Sequence, residues 1–196
     1  EAVLTYSLPA QQEQPVVAAG RCNYPEQPTT DVSAIVPPDV RWELAPGTTM
    51  AAPRSGVAGP LTVDGNITSC YARTPSGALL AASNLVAELG NSTLDMDQLV
   101  STKVTHTTGY DALNQRVQAW ESGTTSRAVQ PVQQIAGYRF LQFTGDWAVI
   151  EIVLRNTSGE MAGAMATLSY ALAWEDDDWK LVPPVDGGNV PSLRLE

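Results

Sequence analysis

Bases, histidine and cysteine are all scarce in this chain, and each shortage narrows what it can do. Eleven lysines and arginines stand against 21 aspartates and glutamates, leaving a formal charge of −10 and a pI of about 4.4. A surface of that sign repels phosphate backbones and disfavours nucleic acid as a partner. No cluster of lysine and arginine is present to hold the chain on an anionic leaflet, and no run of about 18 apolar residues exists to span a bilayer. The chain itself is therefore expected to make no membrane contact. The single histidine, His106, and the two cysteines, Cys22 and Cys70, do not complete a tetrahedral metal site. Neither a Gly-x-Ser-x-Gly elbow nor a phosphate loop or dinucleotide fingerprint occurs. No residue is assigned a catalytic, cofactor or metal role.

What is present divides unevenly. Nine of the 14 prolines fall in the first 60 residues, where they interrupt any long regular element. Residues 1–58 read as a Pro-rich extended arm or stalk tied to the domain that follows, residues 59–196. The first 20 residues suit either a flexible tether or an ordinary disordered terminus. Because the sequence opens Glu1-Ala2-Val3 without Met, it reads as either a processed protein, with a signal or anchor segment removed upstream, or a trimmed chain. Around Val40–Leu44 apolar and polar residues alternate, as in a short edge strand or strap. An even cysteine count, with Cys22 in a segment too poor in apolar residues to dock by itself, suggests a Cys22–Cys70 disulfide. Closing that loop removes chain entropy worth about 4 kcal/mol. Two unrelated buried thiols are the alternative.

Three helices are expected. Thr74-Pro75-Ser76 is a helix start, with Thr74 as cap and Pro75 in the tolerated first position. Leu79, Ala82, Val86 and Leu89 follow on one face, and Gly90-Asn91 supplies a left-handed end. A shorter helix is expected from about Leu94 to Val100, capped by Thr93. A third runs from about Tyr110 to Glu121 with Leu113, Val117 and Trp120 on its stripe. Strands follow: Gly137–Phe143, then Trp147–Arg155 with Ile150, Ile152 and Leu154 on one side. Met161–Trp174 is rich in Gly and Ala, and propensity favours a helix there. Leu168, Tyr170, Leu172 and Trp174 nevertheless keep a period of two between turns, which indicates a strand. Glu175–Asp178 is a charged turn and Trp179–Val182 a last strand. The fold class is α+β: three N-terminal helices packed on a curved four-stranded antiparallel sheet, preceded by the Pro-rich arm.

That order is similar to the nuclear-transport-factor-2-like cone fold, and the ending Trp174–Val182 resembles the last hairpin of such domains. The segments Cys22-Asn23-Tyr24-Pro25, Arg41–Leu44, Gly59-Pro60 and especially Cys70–Ala82 resemble a family of uncharacterised actinobacterial secreted or membrane-anchored proteins. The resemblance covers roughly residues 20–185. It implies an extracytoplasmic location and, by analogy with periplasmic cone-fold subunits of conjugation or secretion machinery, an accessory role beside another protein. Members often carry a histidine where this chain has Arg73, so no imidazole chemistry carries over.

Tested residue by residue, His106 reads as a surface or packing side chain, the acidic turn as solvated, and Asp95 and Asp97 as first-turn acids favouring a helix dipole. Glu151, between Ile150 and Ile152, is expected to face water or a partner. The rival function is small-molecule binding or proton transfer inside the cone, lined by Tyr110, Trp120, Tyr138, Phe140, Tyr170 and Trp174. Pairing of exposed sheet faces into a homo-oligomer is the other expected association.

Overall fold

The computed structural model describes residues 22, 24, 30–33, 35–91, 93–124, 132–187 and 194–195. The stretch from 1 to 20 lies outside them. Two short hairpins come first. β1 (Arg41–Leu44) pairs antiparallel with β2 (Ala51–Arg54), and β3 (Thr62–Asp64) with β4 (Ile67–Ser69). Then come α1 (Pro75–Leu89), α2 (Met96–Lys103) and α3 (Tyr110–Glu121), followed by β5 (Gln133–Phe143), β6 (Trp147–Asn156), β7 (Met165–Glu175) and β8 (Asp178–Leu181). These four strands form an antiparallel meander, with the two-residue β9 (Arg194–Leu195) beside β7. The class is α+β, but the helices do not lead the chain as expected. They lie between two sets of strands.

The early hairpins change the role of α1. Thr74 caps it as expected, its hydroxyl accepting from the Gly77 amide, with Pro75 in the first position. Thirteen of its 15 residues are buried, so the single greasy stripe read from Leu79, Ala82, Val86 and Leu89 understates it. One side meets β6, β7 and β8, while β2 and β4 cover the other. Alanines 78, 81, 82 and 87 keep the helix narrow enough for layers on both sides. A Cβ on Gly77 would lie 1.9 Å from the Ala72 carbonyl oxygen, so only glycine fits there. Gly90 ends the helix at φ −74°, right-handed rather than left-handed. α2 begins two residues later than expected because Asp95, not Thr93, takes the cap, accepting from the Gln98 amide. A carboxylate at that position also complements the helix dipole.

The alanine-rich segment is a strand. Nine residue pairs join Trp147–Arg155 of β6 to Met165–Ala173 of β7. Tyr170 and Leu172 are buried towards the helices with Ile150, Ile152 and Leu154. Lateral pairing and one-sided burial override the helix propensity of alanine. Asp176 and Asp177 form the two-residue turn to β8 with φ of 53° and 62°, the mirror-type geometry that Asp tolerates and that matches strand twist.

Candidate functional site

Two places differ from ordinary packing. The first is polar and sealed. β4 brings Thr68, the last turn of α1 brings Glu88, and the end of α2 brings Lys103, all buried beside Tyr71. Oε1 of Glu88 accepts from the Thr68 amide at 2.7 Å and from the Thr68 hydroxyl. With the Thr68 hydroxyl proton committed to Oε1 of Glu88, the Tyr71 hydroxyl donates to Thr68 Oγ1 at 2.6 Å. Lys103 Nζ donates to the Thr68 carbonyl at 2.8 Å and sits 4.7 Å from the Tyr71 ring centroid. Oε2 of Glu88 has no hydrogen-bond partner among the described residues. Burial raises the Glu88 pKa above its ordinary value, against the opposing pull of Lys103 and the Thr68 bonds. Burial, then the Glu88 charge, pushes the Tyr71 phenol well up.

A carboxylate and a phenol bridged by one hydroxyl have the chemistry of a proton relay. A relay must reach the group whose proton it moves. Here both ends are inside the core, so the cluster's visible work is to tie β4, α1 and α2 together.

Next to it the chain forms a junction around Cys70–Gly77. Cys70 is disulfide-bonded to Cys22, with Cα atoms 5.1 Å apart, as expected. Cys70 is left-handed at φ 65°, a conformation that costs about 1–2 kcal/mol in a residue with a Cβ. Asp178 holds it there, accepting from the amides of Cys70 at 2.9 Å and Tyr71 at 3.0 Å, and also from Trp179. The Trp179 indole donates to the Ala72 carbonyl at 2.9 Å. Arg73 donates through Nε to Asp146 at 2.9 Å, and its guanidinium lies 5.9 Å from the Trp174 ring. Ser76 donates to the Ile35 carbonyl at 2.5 Å. Tyr24, half-buried nearby, has its phenol pushed up to about 12 by burial and the charges of Asp178 and Asp39.

The second place is apolar and open. A groove of about 210 Å³ lies between the β1–β2 hairpin, α1 and β5. Trp42, Pro53, Leu79, Leu80, Ile135 and Tyr138 line most of it. Trp42 is 54% exposed and Tyr138 39%. The edge of β5 facing away from β6 has no strand partner among the described residues.

The six aromatics expected to line one interior are distributed differently. Tyr138 lines the groove. Phe140 meets Tyr138 edge-on at 6.5 Å. Tyr170 is buried in the core, and Trp174 packs edge-on against Trp179 at 5.4 Å. Tyr110 and Trp120, both half-buried on α3, pack against the core, and His106 stacks at 4.2 Å on Tyr110. His106 hydrogen-bonds no acid or hydroxyl among the described residues. Glu151 does not face water. It is buried and bonded to Arg139 at 2.5 Å. Among the described residues no group of His, Cys, Asp and Glu is arranged to hold a metal ion, and no helix is long and apolar enough to cross a membrane.

Sequence reasoning misses the Glu88 cluster because Glu88 lies off the stripe assigned to α1. The signal is there. From Gly77 to Ala87 the helix is apolar or small almost all round, which marks a helix covered on every side.

Residues 6–195 match the family described as "Domain of unknown function (DUF8175)", and the chain belongs to that family. No curated protein matches the chain, and no solved structure does.

Proposed function

We propose, with membership of that family as the premise, that the chain is a non-catalytic accessory or scaffold domain working outside the cytoplasm, of the kind found in conjugation or secretion assemblies. Within this reading its sheet and helices are of the nuclear-transport-factor-2-like cone type. One observation carries the proposal. The space between helices and sheet is filled by Ile150, Ile152, Tyr170, Leu172 and Trp179, all buried, so no substrate has room there. The features left facing outward are an apolar groove and a free strand edge, which suit protein contact. The Cys22–Cys70 disulfide is compatible with an oxidising compartment.

The second reading, proton transfer on a small molecule, draws on the Glu88–Thr68–Tyr71 bridge. It requires an opening that brings substrate to the core end of α1. The test places a photo-crosslinking amino acid in the groove at Tyr138, on the far sheet face at Val149, and at exposed Val185, in the intact protein in its own membrane. Capture of one defined protein from at least one position is expected. No adduct from any of the three, with the disulfide formed, overturns the scaffold reading.

A further inference from the structure

We propose that Glu88 keeps its proton in the folded chain and donates it from Oε2 to the side-chain carbonyl of Asn84, so that one proton couples the two early hairpins through α1 and its loss uncouples them.

Two unmet acceptors give the first reason. Oε2 of Glu88 and Oδ1 of Asn84 are buried oxygens without a hydrogen-bond partner among the described residues, and each residue is only 1% exposed. They stand four apart on α1, a spacing that sets Cβ atoms about 5–6 Å from one another. Helical side chains lean towards the amino terminus, so the longer Glu88 reaches onto Asn84. Asn84 cannot turn its amide round to supply a donor, because Nδ2 already donates to the carbonyls of Pro53 and Leu80, both at 2.9 Å. A proton on Oε2 is a donor, and it satisfies both oxygens at once.

Charge gives the second. An ionised Glu88 would be a buried charge with one oxygen unbonded, a costly arrangement. Lys103 does not relieve it, since Nζ donates to the Thr68 carbonyl and lies over the Tyr71 ring, leaving Oε2 without a bond. Among the elements packed on α1, β8 brings Asp178, whose charge favours the proton, and β4 brings no ionisable group. Arg54 of β2 pairs with Glu43, Glu151 of β6 with Arg139, and Lys180 of β8 with Glu175 at the end of β7. Arg155 stands exposed near the end of β6. Tyr71 and Tyr170 are phenols that burial keeps neutral.

The proton sits between two attachments. Asn84 holds β2 through the Pro53 carbonyl, and Glu88 holds β4 through the Thr68 amide at 2.7 Å. Isolated two-stranded hairpins have little stability of their own, so both depend on what they pack on, and β2 and β4 pack on α1. When the proton leaves, a negative oxygen faces a carbonyl oxygen and α1 loses its hold on both. The folded chain binds this proton more tightly than the unfolded one. The coupling is therefore complete below the unfolded pKa and is lost as pH rises through the folded value.

The test uses the full, disulfide-bonded chain with isotope-labelled glutamate carboxyl carbons read by NMR, the Glu88 signal being assigned by its loss in Glu88→Gln. At about pH 6, where an ordinary glutamate of pKa about 4.3 is ionised, Glu88 is expected to give the signal of the neutral acid. Asn84→Ala takes away the acceptor and should lower the proton affinity roughly tenfold, a midpoint shift of about one pH unit. Raising the pH through the wild-type midpoint should lower amide-exchange protection in β2 and β4 together, roughly tenfold more than in β6. Glu88→Gln, whose side-chain amide supplies the donor at every pH, should hold that protection constant. An ionised Glu88 at about pH 6, a midpoint that Asn84→Ala leaves in place, or loss of protection in β4 alone each overturns the proposal. If Asn84→Ala does not fold, the wild-type carboxyl signal and the paired exchange decide.

Discussion

The junction around Cys70 follows one of the two early hairpins and the groove beside Trp42 lies against the other, and the chain treats them in opposite ways. At the junction nearly every backbone group has a committed partner. One carboxylate, Asp178, holds three amides, an indole closes on the Ala72 carbonyl, and a disulfide crosses the whole. At the groove the chain leaves aromatic faces in water and a strand edge without a neighbour among the described residues. Unmet hydrogen bonds and exposed rings are costly, so a fold that closes one side this thoroughly has the means to close the other. The contrast separates what holds the molecule together from what it keeps available.

The largest break in that comparison is Trp179→Ala. Trp179 is buried, packs against Trp174 and Phe143, and satisfies the Ala72 carbonyl. Losing a large core ring costs about 3–5 kcal/mol, and the Ala72 carbonyl is left with only its bond from the Thr74 amide. Denaturant unfolding should show the loss, and a change under about 1 kcal/mol, the size of an ordinary point substitution, would mean that the junction is not the keystone described. Next in size is the disulfide. Cys22→Ala should cost about 4 kcal/mol from the 48-residue separation, on the chain-entropy account. Intact mass with and without reductant checks the bond itself, since reduction adds two hydrogens.

These two effects also divide what the sequence discloses from what it hides. The cysteine pair, the Thr74 cap and the α3 stripe are legible because each depends on neighbours in sequence or on a simple count. The strand through Met165–Glu175 is legible because its large residues alternate, which a helix cannot use. The four short strands before α1 are not all legible. Elements of three or four residues owe their existence to what they pack on, and β2 and β4 pack on α1. Without them α1 has one buried face, and Glu88 falls outside it. Asp178 reads as part of a solvated turn, although its partners at Cys70 and Tyr71 lie over 100 residues away in sequence.

A smaller effect tests the sealed cluster through pH. The folded pKa of Glu88 is raised above its unfolded value, so the folded state holds its proton more tightly. Its contribution to stability is therefore fully present below about pH 4, near the unfolded carboxyl value, and is lost as pH rises through the folded pKa. Comparing unfolding free energies from pH 4 to 8, the wild type should lose stability relative to Glu88→Gln across that window. A tenfold difference in proton affinity between folded and unfolded chain corresponds to about 1.4 kcal/mol. Lys103→Met removes the cation that holds the pKa down and should extend the window upward. Parallel curves for wild type and Glu88→Gln would show that the carboxyl titrates as if exposed.

The smallest effect expected on stability falls at the groove, and its smallness is the point. Tyr138 lies on the strand with the free edge, and Trp42 on a hairpin strand whose four residues are all exposed. Neither side chain hydrogen-bonds to a described residue. Exposed substitutions away from caps and buried networks usually stay within about 0.5 kcal/mol, so Tyr138→Ser and Trp42→Ser should leave the unfolding midpoint nearly unmoved. A loss of about 2 kcal/mol from either, well beyond that range, would place the groove among the parts that hold the fold, and the distinction between its two sides would disappear. A null effect on stability combined with lost crosslinking at Tyr138 would instead show aromatic surface kept for contact rather than for folding.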